Sequence, residues 1–165
     1  MLKYYTECDS IYVTKSIEVS QMRIMAIDYG DSRVGIAISD ALGITAHGLK
    51  TLPNKVYQKL LDAIVGIVCE YDINTIVVGM PKNLNGSLGI RAEVTKSFAN
   101  DLSQILPKAT IVFQDERLTT VEATRFLNYT NTRGKSRKAV IDTVSAEIIL
   151  QTYLDTNTIS QKGEQ

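Results

Sequence analysis

The feature that most constrains this chain is Met22–Asp40, MRIMAIDYGDSRVGIAISD: an apolar strand ends in a carboxylate, turns on glycine and returns as a second strand. The two-residue period of a strand puts Ile24, Ala26 and Asp28 on one face, so Asp28 continues an apolar surface. An acid there must be hydrated, paired or bound to a cation, because burying it alone is costly. The bland reading is a turn-opening acid held by the N–H groups of Gly30 or Asp31, a task that Asp31 itself suits better.

The pattern continues regularly. Arg23–Tyr29 and Val34–Ser39 read as strands around a tight Gly30–Arg33 turn, and Ile44–Leu52 reads as a third strand of an antiparallel start. Pro53–Asn54 opens a helix, with Val56, Leu60, Ile64, Ile67, Val68 and Tyr71 at helical spacing. The continuous apolar run Thr75–Gly79 suits a central strand covered on both faces. After an Asn- and Gly-rich loop, Met80–Gly89, a helix is expected from Ile90 to Leu106, with Val94, Phe98, Leu102 and Ile105 on one stripe. Thr110–Gln114 is a further strand, closed by Asp115, Glu116 and Arg117. Thr119 and Glu122 have the spacing of a capping box for a helix to about Leu127. A polar basic loop, Thr130–Lys138, leads to a last helix from Ala139 to about Leu154. Three strands followed by helix–strand–helix–strand–helix imply an α/β fold: a mixed sheet whose later strands run parallel, with helices on both faces.

A chain of 165 residues is long enough for one domain with a real core. Residues 1–21 lack a clear core pattern and are expected to be a poorly ordered extension, with an accessory strand around Ile11 and Val13 as the alternative. The main domain is expected over 22–156, and 157–165 form a polar tail. Membrane association is not expected, since no apolar run spans a bilayer. Cys8 and Cys69 make no C-x-x-C pair, Cys69 reads as a small core residue, and a cytoplasmic setting is expected. The net charge is zero, so nucleic-acid binding would have to come from a local patch.

Asp142 is the second displaced acid. It shares a helix face with Ala146, Ile149 and Tyr153 that should pack on the sheet, while the bland reading is a first-turn acid favoured by the helix dipole. Glu116 is the third candidate, at the end of a strand where open sheets place binding groups; a salt-bridged strand end is its bland reading. Oxygen-only ligands without a His or Cys cluster favour a hard cation, Mg2+ or Mn2+. Two such ions cleave phosphodiesters without a protein nucleophile, so His47 is read as structural. Asp115 would stand behind the ligands, and Glu122 is read as a cap.

Arg133, Lys135, Arg137 and Lys138 carry no acid among them and precede Asp142, which suits a clamp on a polyanion, with Arg125 joining the patch. A solvated loop is the bland reading. The segment Gly79–Glu93 could present backbone N–H groups to phosphate. Gly134-Lys135-Ser136 is not a P-loop, because Tyr129 replaces its first glycine and no strand precedes it.

Taken in order, IDYGDSRVGIAISD, GITAHGLKTL, VVGMPKNLNGS, DERLTT with the following EA, and VID with SAEIILQTYL resemble the YqgF (RuvX-like) family. The similarity runs from Met22 to about Asp155. Members are pre-16S ribosomal RNA nucleases related to Holliday-junction resolvases. The resemblance implies a ribonuclease H-like, five-stranded mixed sheet flanked by helices. It aligns Asp28 with the family's first-strand acid, Glu116 with the glutamate of its DER motif, and Asp142 with the acid opening its last helix. Ser145 departs from the family's usual Ala, and residues 1–21 have no counterpart. The expected function is metal-dependent maturation of the 5′ end of pre-16S ribosomal RNA. Asp28, Glu116 and Asp142 would be both catalytic and metal ligands, and the protein a monomer or homodimer acting on structured RNA. The alternatives are a resolvase acting on branched DNA, a non-catalytic ribosome-assembly or transcription factor, and an actin-like ATPase, for which one 165-residue chain is too short.

Overall fold

The computed structural model describes residues 23–81, 89–115 and 135–162, with the last helix's side chains described over 142–157. In chain order these form β1 (Arg23–Tyr29), β2 (Arg33–Ser39), β3 (Ala46–Pro53), α1 (Tyr57–Tyr71), β4 (Ile73–Met80), α2 (Ile90–Ile105), β5 (Thr110–Asp115) and α3 (Lys135–Lys162). The five strands lie in the order β3-β2-β1-β4-β5. β2 is antiparallel to both β1 and β3, whereas β4 runs parallel to β1 and β5. The mixed sheet expected from the alternation of elements is therefore present, with helices on both faces.

The two faces of the sheet are filled differently. Met25, Ile27, Val34, Ile36, Ile76 and Val78 pack under Leu60, Ile64 and Ile67 of α1 and Phe98 and Leu102 of α2. The opposite face presents Ala26, Ala37, Ala46 and Val77 to Ala146, Ile149, Leu150 and Leu154 of α3. Small residues on that face let α3 approach closely. At Gly35 the approach is closest: a Cβ built there would overlap the backbone carbonyl of Asp142.

The β1–β2 turn is pinned from outside. Gly30 donates its N–H to Arg33 O at 3.1 Å, and a Cβ on Gly30 would stand 2.6 Å from that same oxygen. Asn54 closes the turn with its backbone N–H on Ser32 O at 2.9 Å and its side-chain amide on Gly30 O at 2.9 Å. Along β3, α3 supplies acceptors to the strand's backbone: Gln151 Oε1 takes the Ala46 N–H at 2.9 Å, and Glu147 Oε2 takes the Gly48 N–H at 3.2 Å.

Several boundaries differ from expectation. Pro53 stays in β3 opposite Arg33 and Asn54 is spent on the turn, so α1 starts at Tyr57 and Val56 is an exposed N-cap. Ile44 belongs to the β2–β3 connection, where its N–H binds Asp40 Oδ1 at 2.8 Å. Val94 points to solvent, because α2 buries Ala92, Thr95, Phe98, Ala99 and Leu102 instead. Helix α3 begins four residues before Ala139, so Lys135, Arg137 and Lys138 are helical and not part of a loop. It also continues through 157–162, which were expected as tail. Cys69 is half-buried on α1 and lies outside the core cluster, where a small core residue was expected. The extension 1–21, the helix expected from Thr119 to Leu127 and most of the Met80–Gly89 loop lie outside the described residues.

Candidate metal centre

Asp28 is delivered by strand alternation. Its neighbour Tyr29 stacks on Phe98 of α2, with ring centroids 4.2 Å apart and planes 19° apart. Asp28 therefore faces the other way, toward α3. It pairs with Gly35 across the β1–β2 ladder, and the missing side chain at Gly35 is where Asp142's backbone sits. That one glycine lets the two acids approach each other.

Helix α3 completes the arrangement. Asp142 lies two turns inside it, so the first-turn dipole explanation fails, as does the description of Asp142 as the residue opening the helix. Ser145 and Ala146 are buried beside it, together with Ile149, and Tyr153 is half-buried on the same face. The Ser145 hydroxyl donates a hydrogen bond to the Asp28 carboxylate.

The surroundings of Asp28 disfavour its charged form. Burial first, then the negative charge of Asp142, raise its pKa from 3.8 to about 6; Arg91 and the Ser145 hydroxyl pull it back. Arg91 stands in the first turn of α2, which adds a cation from the second helix layer. Arg33 approaches from the start of β2: its Nε lies 2.7 Å from Asp142 Oδ2. Both atoms are buried, and neither completes a hydrogen bond, so the approach is ionic without directional alignment.

This donor set fits a hard divalent cation. Asp28 and Asp142 offer only carboxylate oxygens, one of them a buried acceptor lacking a hydrogen bond, and their mutual repulsion would be relieved by a positive ion. Among the described residues no group of three or more His, Cys, Asp or Glu gathers. Glu116, one residue beyond β5, and Arg133 lie outside the described residues, as do Glu122 and Arg125. Lys135, Arg137 and Lys138 are placed only by the backbone of α3, one to two turns before Asp142. Asp115 ends β5 one residue out of phase with Val112 and Gln114, on the face opposite the one Asp28 uses. That face does not suit support of these two acids. His47 is exposed and engages Thr45 Oγ1 at 3.1 Å, away from the acids.

Three contributors were not foreseen as such: Arg33, Arg91 and the hydroxyl of Ser145. Only Ser145 carried a local signal, three residues after Asp142 and hence on its helix face.

Residues 22–156 match the family model described as "RuvX: Holliday junction resolvase". A Halothermothrix orenii protein named "Putative pre-16S rRNA nuclease" is 50% identical over 134 residues, covering 81% of this chain and 95% of that one. A protein of the same name from Ruminiclostridium cellulolyticum is 45% identical over 135 residues, covering 81% and 94%. Among solved structures, the fowlpox virus Holliday junction resolvase superposes with a TM-score of 0.51 at 10% identity, covering 82% of this chain and 99% of that one. Thermus thermophilus RuvC in complex with a Holliday junction substrate gives 0.50 at 9% identity, covering 83% and 96%. These two likenesses identify a resolvase-type, ribonuclease H-like fold. With a family model matching most of its length and relatives near half-identical, the chain belongs to the RuvX (YqgF) family.

Proposed function

We propose that this protein is a metal-dependent nuclease that matures the 5′ end of pre-16S ribosomal RNA in the cytoplasm. The observation that carries the reading is the Asp28–Asp142 pair: two carboxylates share one end of a sheet, and burial and mutual repulsion hold the pKa of Asp28 at about 6. The names of the relatives support the substrate.

In this reading Asp28, Asp142 and Glu116 hold Mg2+ or Mn2+. Such an ion, when bound, supplies an activated water and neutralises charge on the scissile phosphate. The chain's own residues do the rest. The Ser145 hydroxyl orients the Asp28 carboxylate and favours its ionised form. Gly35 and the alanine-lined face fix how far α3 stands from β1, and so the spacing of the two acids. Lys135, Arg137 and Lys138 at the start of α3, with Arg133 just before, contribute phosphate contacts.

The deciding experiment incubates the purified chain with 5′-extended 16S ribosomal RNA, with and without Mn2+, beside Asp28→Asn. Metal-dependent cleavage by the parent and none by the variant is expected; equal cleavage by both would sink the mechanism. A four-way DNA junction in a parallel arm addresses the second reading, a junction-resolving endonuclease, which the description of the family model favours. Binding of RNA without cleavage in any metal would instead favour a non-catalytic assembly factor.

A further inference from the structure

Arg33 belongs neither to the acid set nor to the basic segment before Asp142, yet it makes a close charged contact with one of the acids. Its backbone is immobilised. The Gly30 N–H binds its carbonyl at 3.1 Å, Pro53 pairs with it across the ladder, and Asn54 clamps the turn that precedes it. From this fixed base the side chain lies against α3, with Nε 2.7 Å from Asp142 Oδ2. The contact is not an ordinary structural salt bridge. A guanidinium matches a carboxylate best through a pair of parallel N–H···O bonds, whereas here neither buried atom completes a hydrogen bond. The Arg33 side chain is also 37% exposed, which leaves room for a further partner. A misaligned cation on a half-buried carboxylate is a replaceable one.

We propose that Arg33 is a positioning residue that stands in for the divalent cation at Asp142 and yields the carboxylate when the cation binds, its guanidinium then turning to a phosphate of the nucleic acid. This rests on the reading of Asp142 as a metal ligand. Two consequences follow. Arg33 opposes metal binding in the free protein, because its positive charge is next to the ligand the ion needs. It also favours metal and polyanion together, because the phosphate offers the displaced guanidinium a new partner. Coulomb's law in a water-like medium gives about tenfold for a unit charge roughly 6 Å from a divalent ion and about thirtyfold at roughly 4 Å.

The test is Mn2+ affinity of the full chain without nucleic acid, by calorimetric titration at low salt, for the parent, Arg33→Gln, Arg33→Lys and Asp142→Asn. Arg33→Gln is expected to bind Mn2+ about tenfold or more tightly, and Arg33→Lys, which keeps the charge, to stay near the parent. With Ca2+ and the same ribosomal RNA fragment, Arg33→Gln should bind RNA more weakly, its log–log salt slope reduced by about one phosphate contact. A role that is only structural would lower metal affinity or leave it alone. Unchanged or weakened Mn2+ binding in Arg33→Gln, with Asp142→Asn abolishing it, overturns the proposal and spares the site. Mn2+ binding that survives Asp142→Asn, or is missing from the parent, overturns both.

Discussion

Replacing Asp28 with asparagine should make the metal-free protein more stable, and the size of the gain follows from the site. In the folded chain the carboxyl's pKa is raised from 3.8 to about 6 by burial and by Asp142. Folding therefore takes up a proton between those values. The stability that this contributes is fully present below about pH 4 and is lost as pH rises through about 6. At about 1.4 kcal/mol per tenfold change in proton affinity, the loss by neutral pH is at most about 3 kcal/mol. Partial exposure of the side chain reduces this to about 2 kcal/mol. The neutral amide in Asp28→Asn escapes that penalty, so the variant should exceed the parent by about 2 kcal/mol at pH 8, or roughly 4–8 °C in Tm for a chain of this length. At pH 4, where the native carboxyl is already neutral, the two should coincide. Thermal or urea denaturation in chelator, from pH 4 to pH 8, measures the difference directly. A variant no more stable than its parent at pH 8, or a gain of the same size at every pH, would refute the account of a buried, repelled carboxylate. So would parent stability that rises between pH 5 and 7 by more than the variant's does.

Adding Mn2+ should reverse the order. The parent gains about 2.7 kcal/mol at a hundred times its dissociation constant, and Asp28→Asn and Asp142→Asn gain little; equal shifts in all three by scanning fluorimetry would exclude binding at this pair. Gly35→Ala places a methyl group on the Asp142 carbonyl, so α3 must shift, with an expected loss of about 1–3 kcal/mol in urea denaturation and a lower kcat for cleavage. Wild-type values for both would show that the close contact is not needed. Ser145→Ala removes a hydrogen bond that favours the ionised Asp28, so the carboxyl should titrate at higher pH than about 6, followed by carbon NMR in the metal-free protein. A midpoint that stays put or falls would contradict that role.

How much of this could be read from residues alone depends on how local each signal is. β1, β2 and β4 announced themselves by alternation or by continuous apolar runs, because their burial repeats every one or two residues. Asp28 and Asp142 were legible for the same reason, as acids that interrupt an apolar face. The start of α3 was not. Lys135 to Lys138 bring no apolar stripe, although Lys and Arg are good helix formers, and periodicity begins only where the helix meets the sheet. Val56 and Val94 fit their stripes by spacing but stay exposed, with no other element among the described residues burying them. Arg33 was invisible because its partner comes from the far end of the chain, and a turn arginine looks like any solvated one. Asn54 resembled a helix start, since its actual partners, Gly30 and Ser32, are also remote in sequence.

The bonds from Gln151 and Glu147 to β3 have a consequence beyond holding α3 in place. A strand at the rim of a sheet exposes backbone donors that can recruit a strand from another molecule. Here two of those donors are already satisfied by the protein's own last helix. A second polypeptide seeking to extend the sheet past β3 would first have to evict those side chains, so self-association by strand addition is disfavoured at that border.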